Sequence, residues 1–280
     1  MLSEEMDRFV EGEGKMQSIE LIALDIDQTL THQKDVISPR NLAAIRAAQK
    51  KGVFVTIATG RGFLSSKKIW SQLEIEGPTI QYGGAMLVHS PDGEPISVAA
   101  LSPDLVRDAL VLAHDYGIHV QIFDGDTVIA EKDCPFFTFY HERTNLPYRI
   151  DPALREKRYD NVPKVLAYAE PEQALKLQQE FQAALAGRAD VTISQPGFIE
   201  INGCGVSKAA ALEKLAGIMC IPQESVAAIG DSTLDLSMIR WAGCGVCVAN
   251  GTKNVLDEAD IIVPSCQEDG VAYFIENYVL

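Results

Sequence analysis

What most constrains this chain is a set of short, nearly continuous apolar runs, each cut off by a polar residue or a glycine. Residues 19 to 24 (IELIAL) stop at Asp25, residues 53 to 58 (VFVTIA) stop at Thr59-Gly60-Arg61, and residues 79 to 82 (TIQY) stop at Gly83-Gly84. Apolar runs without polar alternation read as strands buried on both faces, which implies a parallel sheet covered by helices. Helix signals fall between them: Ser38-Pro39 pairs an N-cap with proline at the first helical position, and a helical stretch follows Arg61 to about Leu73. The same grammar returns near the end. VAAIG (226 to 230) stops at Asp231, a helix follows near Leu234 to Trp241, and GVCVAN (245 to 250) and ADIIVP (259 to 264) come after it. The two ends predict a single doubly wound, Rossmann-like α/β sheet.

Between the ends the pattern changes. A helix begins at Ser102-Pro103, alternating strands flank Asp124-Gly125-Asp126, and a second hairpin turns at Pro196-Gly197. Residues 86 to 203 are therefore expected to form an inserted α+β domain, with 18 to 85 and 204 to 280 forming the sheet core. Residues 1 to 17 are acidic, carry no strand signal and read as an N-terminal tail without a function. A hydrophobic content of 47% over 280 residues is enough for a core in each domain.

A formal charge of −15, with no basic run to offset it, argues against nucleic acid as a partner. No apolar stretch reaches the ~18 residues of a membrane span, and the N-terminus lacks the pattern of a signal peptide. The expectation is a soluble, cytoplasmic protein without a membrane partner. The six cysteines sit mostly in apolar runs and read as buried thiols; Cys244 and Cys247 form a C-x-x-C that reads as strand packing. Nothing in the sequence speaks to oligomeric state.

Chemistry concentrates where the apolar runs end. Asp25 and Asp27, two apart past a buried strand, are expected to share one small space, so that a proton or a cation must relieve their repulsion. Asp25 is then a candidate nucleophile, with Asp27 a general acid toward the leaving oxygen and a base toward water. Thr59 can donate its hydroxyl to a phosphate oxygen, and Gly60 allows close backbone approach. Lys208, at a helix start, can neutralise a carboxylate and a phosphate together. Asp25, Asp231 and a carbonyl near Asp27 are hard oxygen ligands suited to Mg²⁺, and Asp235 could orient Lys208 or a metal-bound water. Taken singly, Asp25 and Asp27 read equally as loop acids capping a helix, Asp231 and Asp235 read more often as N-caps than as ligands, and Thr59 and Lys208 as ordinary cap and surface residues. Their order along the chain, most of them at strand ends, favours a site.

LDIDQTL (24 to 30), TIATGR (56 to 61), GVSKAAAL (205 to 212) and AIGDSTLDLSM (228 to 238) together closely resemble the four motifs of the haloacid dehalogenase superfamily. GVCVAN and EDGVAYFIE (268 to 276) are similar to closing segments of its Cof-type, class IIB branch, and the insert resembles that branch's C2 cap. The resemblance implies an Mg²⁺-dependent phosphatase acting on a small-molecule phosphate ester, such as a sugar or cofactor phosphate, through a phosphoaspartate. It implies that Asp25 attacks, Asp27 shuttles the proton, Thr59, Gly60 and Lys208 hold the phosphoryl group, and Asp25, Asp27 and Asp231 serve the metal, with Asp235 beside them. A phosphomutase of the phosphomannomutase type, or a catalytically weak phosphate-binding regulatory protein, are the alternatives. Leu234 and Gly83 stand where the pattern usually has Asn, and Gln28 where it usually has a small or acidic residue. In the insert, Tyr140, His141 and Arg143 are candidate readers of the substrate, because aromatic and basic groups share a helical stretch.

Overall fold

The computed structural model describes residues 18–280; the expected tail, 1 to 17, lies outside them. In chain order the elements are β1 (Leu21–Leu24), α1 (Pro39–Lys50), β2 (Phe54–Ile57), α2 (Lys67–Gln72), β3 (Gly77–Gln81), β4 (Met86–Ser90) and β5 (Pro95–Val98). Then come α3 (Pro103–Asp115), β6 (His119–Asp124), β7 (Thr127–Ala130), α4 (Pro135–Thr144), β8 (Tyr148–Ile150), β9 (Val165–Tyr168), α5 (Pro171–Ala184), β10 (Ala189–Gln195) and β11 (Phe198–Gly203). The chain closes with α6 (Lys208–Met219), β12 (Val226–Gly230), α7 (Leu236–Trp241), β13 (Cys244–Val248), α8 (Lys253–Leu256), β14 (Ile261–Val263) and α9 (Gly270–Tyr278).

The two ends of the chain build one parallel sheet in the order β14-β13-β12-β1-β2. Alternation along β1 explains the two layers of helices. Ile22 and Leu24 pack with the side chains of α1 and α9, whereas Leu21 and Ala23 pack with those of α6 and α7. Ser38 caps α1 by accepting from Asn41 N at 3.0 Å, with Pro39 at the first helical position.

TIQY departs from the expected parallel strand. As part of β3 it opens an antiparallel meander with β4 and β5, joined to the parallel sheet through a parallel Ala58–Ile80 bridge and the bonds from Thr56 Oγ1 to Pro78 O and Thr59 N to Ile80 O. The polar side chains of β3 satisfy one another: Gln81 Nε2 donates to Thr79 Oγ1, which donates to Val88 O, each at 3.0 Å. The meander crosses the expected boundary between residues 85 and 86, with β3 before it and β4 and β5 after it.

The remaining strands form a second sheet in the order β10-β11-β9-β6-β7-β8. Val120, Ile122, Val165, Ala167, Ile199 and Ile201 face α3 and α5 on its outer side. Its inner side, with Phe123, Val128 and Leu166, joins α4 and the first domain in one apolar cluster that also contains Phe63, Tyr82 and Met86. The β6–β7 turn docks there: Asp126 Oδ2 accepts from Leu64 N at 3.0 Å, and Tyr82 Oη lies 2.9 Å from Gly125 O and 3.1 Å from Asp126 Oδ1. Gly62 is required at this junction, since a Cβ there would come within 2.3 Å of the Tyr82 hydroxyl.

The cysteine expectation holds for half of the set. Cys244, Cys247 and Cys266 are buried, Cys134 is partly covered, and Cys204 and Cys220 are exposed because they lie in the turns flanking α6. Among the described residues no helix is long and apolar enough to cross a membrane.

Candidate active site

Strand register delivers the candidate residues to one edge. Leu24 is level with Ile57 on one side and Ile229 on the other. One step further the three chains reach Asp25, Ala58 and Gly230, and Thr59 and Asp231 follow at once. The strand order also reverses here, because the chain leaves β1 for β2 on one side and returns through β12 on the other. Open parallel sheets bind ligands at such switch points.

Asp25 is 8% exposed, Lys208 3% and Asp235 fully buried. Ser207 caps α6 by accepting from Ala210 N at 3.1 Å, so Lys208 opens the helix with its side chain directed into the edge. Its Nζ lies 2.6 Å from Asp25 Oδ1 and also donates to Asp235 Oδ1. The other oxygen of Asp235 accepts from Asp231 N (3.2 Å), Ser232 N (2.9 Å) and the Ser232 hydroxyl (2.8 Å). Both oxygens of Asp235 are thus committed within the protein. Thr29 donates its hydroxyl to Asp231 Oδ1 at 2.8 Å. Among the described residues, Oδ2 of Asp25 and Oδ2 of Asp231 hold no hydrogen bond.

Carboxylate oxygens of Asp25, Asp231 and Asp235 lie within 4.8 Å of one another, so three acids face one ammonium. Burial, then repulsion from Asp235, holds the Asp25 carboxyl well above the usual range despite Lys208. The same two causes push Asp231 up to about 6. Burial works against the Lys208 charge, but Asp235 and Asp25 outweigh it and raise its pKa. The excess negative charge calls for protons or a cation. Two unspent hard oxygens, on Asp25 and Asp231, are the donor chemistry that a small divalent cation such as Mg²⁺ takes.

Asp27 departs from expectation. Its side chain does not share the space of Asp25: it is 58% exposed and gripped by Arg61, with Nη2 2.5 Å from Oδ1 and Nε 2.8 Å from Oδ2. The same guanidinium reaches Asp35 Oδ1 at 2.6 Å. A two-pronged guanidinium outcompetes proximity along the chain for a carboxylate. Metal ligation by the Asp27 carboxylate therefore has no support in this geometry, and its backbone carbonyl remains the group that such a role would use. Asp235, read in the sequence as able to orient Lys208 or a metal-bound water, holds Lys208 and the turn before α7.

Thr59 is 1% exposed, and its Oγ1 accepts from Arg61 N at 3.1 Å, which leaves the hydroxyl proton to donate. Gly60 sits on the turn between Thr59 and Arg61. Of the three readers expected on α4, Tyr140 faces this region, its ring 6.0 Å edge-on from Phe123. His141 stacks on Tyr148 at 4.2 Å, and the Arg143 guanidinium lies over Phe139 at 5.9 Å while its carbonyl accepts from Lys34 Nζ of the first domain. Four groups went unselected in the sequence: Thr29, Arg61, Lys164 and Glu200. Thr29 and Arg61 sat inside quoted motifs. Lys164, directly after Pro163 and before an apolar run, carried only the weak signal of a cation at a strand start.

Comparison with known proteins agrees with this geometry. The sequence profile of the haloacid dehalogenase-like hydrolases matches residues 22–275. The chain belongs to that family. It is 30% identical over 268 residues to the 5-amino-6-(5-phospho-D-ribitylamino)uracil phosphatase YitU of Bacillus subtilis, covering 92% of this chain and 97% of that protein. An HMP-PP phosphatase of Serratia proteamaculans is 25% identical over 263 residues, 92% of this chain and 95% of the other. A haloacid dehalogenase-like hydrolase from Bacteroides thetaiotaomicron superposes with a TM-score of 0.84 at 28% identity, covering 92% of this chain and 99% of that one.

In this haloacid dehalogenase-like hydrolase, the residues that depart from the family pattern have definite places. Gly83 adopts φ +66 with nothing within 4 Å of an added Cβ, a left-handed position that Asn also tolerates. Gln28 adopts φ 65 without being glycine. Leu234 is half-buried in the turn ahead of α7.

Proposed function

We propose that this hydrolase cleaves a small-molecule phosphate monoester through a phosphoaspartate at Asp25, with residues 86 to 203 acting as the cap over the site. The observation that carries the reading is the state of Asp25: a buried carboxylate with one oxygen anchored by Lys208 and the other unspent, at a sheet edge that also presents Thr59 and Asp231.

Anchoring through Oδ1 fixes the rotamer of Asp25 and leaves Oδ2 to attack phosphorus in line with the leaving oxygen. Thr59 donates its hydroxyl to a phosphoryl oxygen, and the ammonium of Lys208 lies close enough to the nucleophile to neutralise charge as the bond forms. Asp27 protonates the departing alcohol and then takes a proton from the water that hydrolyses the acyl phosphate. For this it leaves the grip of Arg61, which makes Arg61 the group that sets when Asp27 is free. Mg²⁺ held by Asp25, Asp231 and the Asp27 carbonyl would supply the remaining charge neutralisation at the phosphoryl group. Asp235 keeps Lys208 in place and closes the turn that carries Asp231.

The relatives named above act on a ribitylamino-uracil phosphate and on HMP-PP, which supports small, polar phosphate esters as the substrate class. Phosphate release is measured on a panel of sugar, cofactor and aryl phosphates with Mg²⁺ or EDTA, with Asp25→Asn alongside. The expected result is metal-dependent release that falls by about 10⁴-fold or more in the variant, as for loss of a nucleophile. Equal release from both proteins would remove the covalent mechanism, and transfer to a second sugar hydroxyl without phosphate release would mark a mutase.

A further inference from the structure

The inner face of the second sheet carries an ion pair that the chemistry above does not use. Alternation along β9 and β11 sends Val165, Ala167, Ile199 and Ile201 outward, leaving Lys164 and Glu200 on the side that faces the sheet edge of the first domain. Lys164 is 3% exposed. Its Nζ lies 3.0 Å from Glu200 Oε1 and 3.5 Å from the carbonyl of Gly60, on the turn that carries Thr59. The rest of its surroundings are aromatic, the rings of Phe123 and Tyr82 lying 5.3 and 5.7 Å away. Ser194 donates to the same Glu200 oxygen at 2.9 Å, which holds that carboxylate in one orientation.

An ion pair buried in this way is a poor investment in stability, because an apolar pair of similar volume often does as well or better. This one is also incompletely spent. Among the described residues Glu200 Oε2 has no hydrogen bond, the Tyr140 hydroxyl has none, and the ammonium has at least one unused proton beyond a good bond to Glu200 and a long contact to Gly60. Burial and the charge of Glu200 keep the Tyr140 hydroxyl a neutral donor. An unspent donor and acceptor side by side, next to the turn that would hold the phosphate, make a place for a group that both accepts and donates.

We infer that Lys164, Glu200 and Tyr140 form a leaving-group subsite that reads hydroxyls close to the ester carbon, and therefore that the site prefers phosphates of polyols or sugars. A hydroxyl accepts from Lys164 while donating to Glu200, and a second accepts from Tyr140. A plain alkyl phosphate leaves all three groups unpaired, which is the situation against which polar sites discriminate most strongly. A carboxylate at the same place meets the repulsion of Glu200. The subsite rests on the phosphatase reading for its position, so its test reads binding and not turnover.

Calorimetric titration is made with ribose 5-phosphate and with ethyl phosphate, in Mg²⁺, on the Asp25→Asn variant so that neither ester is consumed. The sugar phosphate is expected to bind at least about tenfold more tightly than the alkyl phosphate. Adding Lys164→Met or Glu200→Gln should each bring that ratio to within about threefold. Glu200→Gln keeps the shape and removes only the charge, and the melting temperatures of both variants verify that the cap is still folded. A ratio near one before the second substitution, or a tenfold ratio that survives both, overturns the subsite. Phosphate release by the unmodified protein decides the phosphatase reading separately: absence of turnover with an intact, Lys164-dependent ratio discards the reaction and keeps the subsite.

Discussion

Each domain buries one lysine to almost the same depth, with side-chain exposures of 3% for Lys208 and 4% for Lys164, yet the two are paired differently. Lys208 stands between two carboxylates with a third close by, so the first domain's edge carries more negative charge than its own cation can balance. Lys164 has one carboxylate and two aromatic rings, so its charge is balanced locally. On the proposed function, the difference separates two tasks. An edge with unbalanced acids is prepared for positive charge from outside and for a phosphoryl group that comes with it. A balanced pair among rings is suited to recognition, where a net charge would favour any anion without regard to its shape.

The strongest way to break this contrast is Lys208→Met. Removing one partner of a buried pair leaves uncompensated charge, and here two acids lose it together, so a loss of about 3–5 kcal/mol in unfolding free energy is expected in EDTA. Urea unfolding monitored separately in the two domains measures it, and a loss below about 1 kcal/mol would show that the acids already share protons. A smaller and opposite effect is expected from Asp231→Asn. The carboxyl of Asp231 sits at about 6 in the fold, above the ~3.9 of an unfolded chain. The native state therefore binds the extra proton between those values, and stability drains away as pH rises from about 4 to about 6. Without metal, the Asn variant should match the parent near pH 4 and melt several degrees higher at pH 7. With Mg²⁺ the order should reverse, since a bound cation stabilises only the protein that holds it. Thermal melts at both pH values, with and without Mg²⁺, report both signs.

Where the domains meet, the contrast can be sharpened without touching either lysine. Asp126 is one of the cap's holds on the first domain, through Leu64 N and the Tyr82 hydroxyl. Asp126→Ala is expected to cost roughly 1–2 kcal/mol for the two lost partners. It should also weaken binding of a substrate that touches both domains more than binding of inorganic phosphate. Equal weakening of both would mean that the junction serves the fold alone.

The first domain was legible because its chemistry coincides with its strand ends. An apolar run must stop where the sheet stops, so Asp25, Thr59 and Asp231 were marked by the pattern that makes them structural neighbours. Lys208 followed from its place at the start of an apolar helical stretch. What the pattern could not carry was pairing between side chains. Nothing in the spacing says that Arg61 takes Asp27 away from Asp25, or that both oxygens of Asp235 are used before a metal could reach them. The cap was less legible for a related reason. Lys164 and Glu200 meet only because β9 pairs with β11 across an intervening helix and strand. His141 shares a helix with Tyr140 but turns away to stack on Tyr148, which a stretch of mixed aromatic and basic residues does not disclose.

The same contrast reaches the backbone, and there the expected effect is smallest. Turns of the second domain place glycine or Asn at positive φ, as at Gly125, Asn145, Gly187 and Gly197, whereas the edge of the first domain places Gln28, Asp35 and Tyr82 there. Left-handed backbone at a residue with a Cβ costs about 1–2 kcal/mol, and such cost gathers where a site is held in one geometry. Gln28 is clamped at both ends: its N–H donates to Thr31 O at 2.8 Å and its carbonyl accepts from Asn250 Nδ2 at 2.8 Å. Gln28→Gly relieves the left-handed cost but returns about 0.4–1 kcal/mol as freedom in the unfolded chain. A net gain under about 1 kcal/mol is therefore expected in urea unfolding, with turnover little changed because both backbone bonds remain. A loss of stability in its place would mean that the Gln28 side chain, and not only the clamp on its backbone, holds the loop beside Asp25.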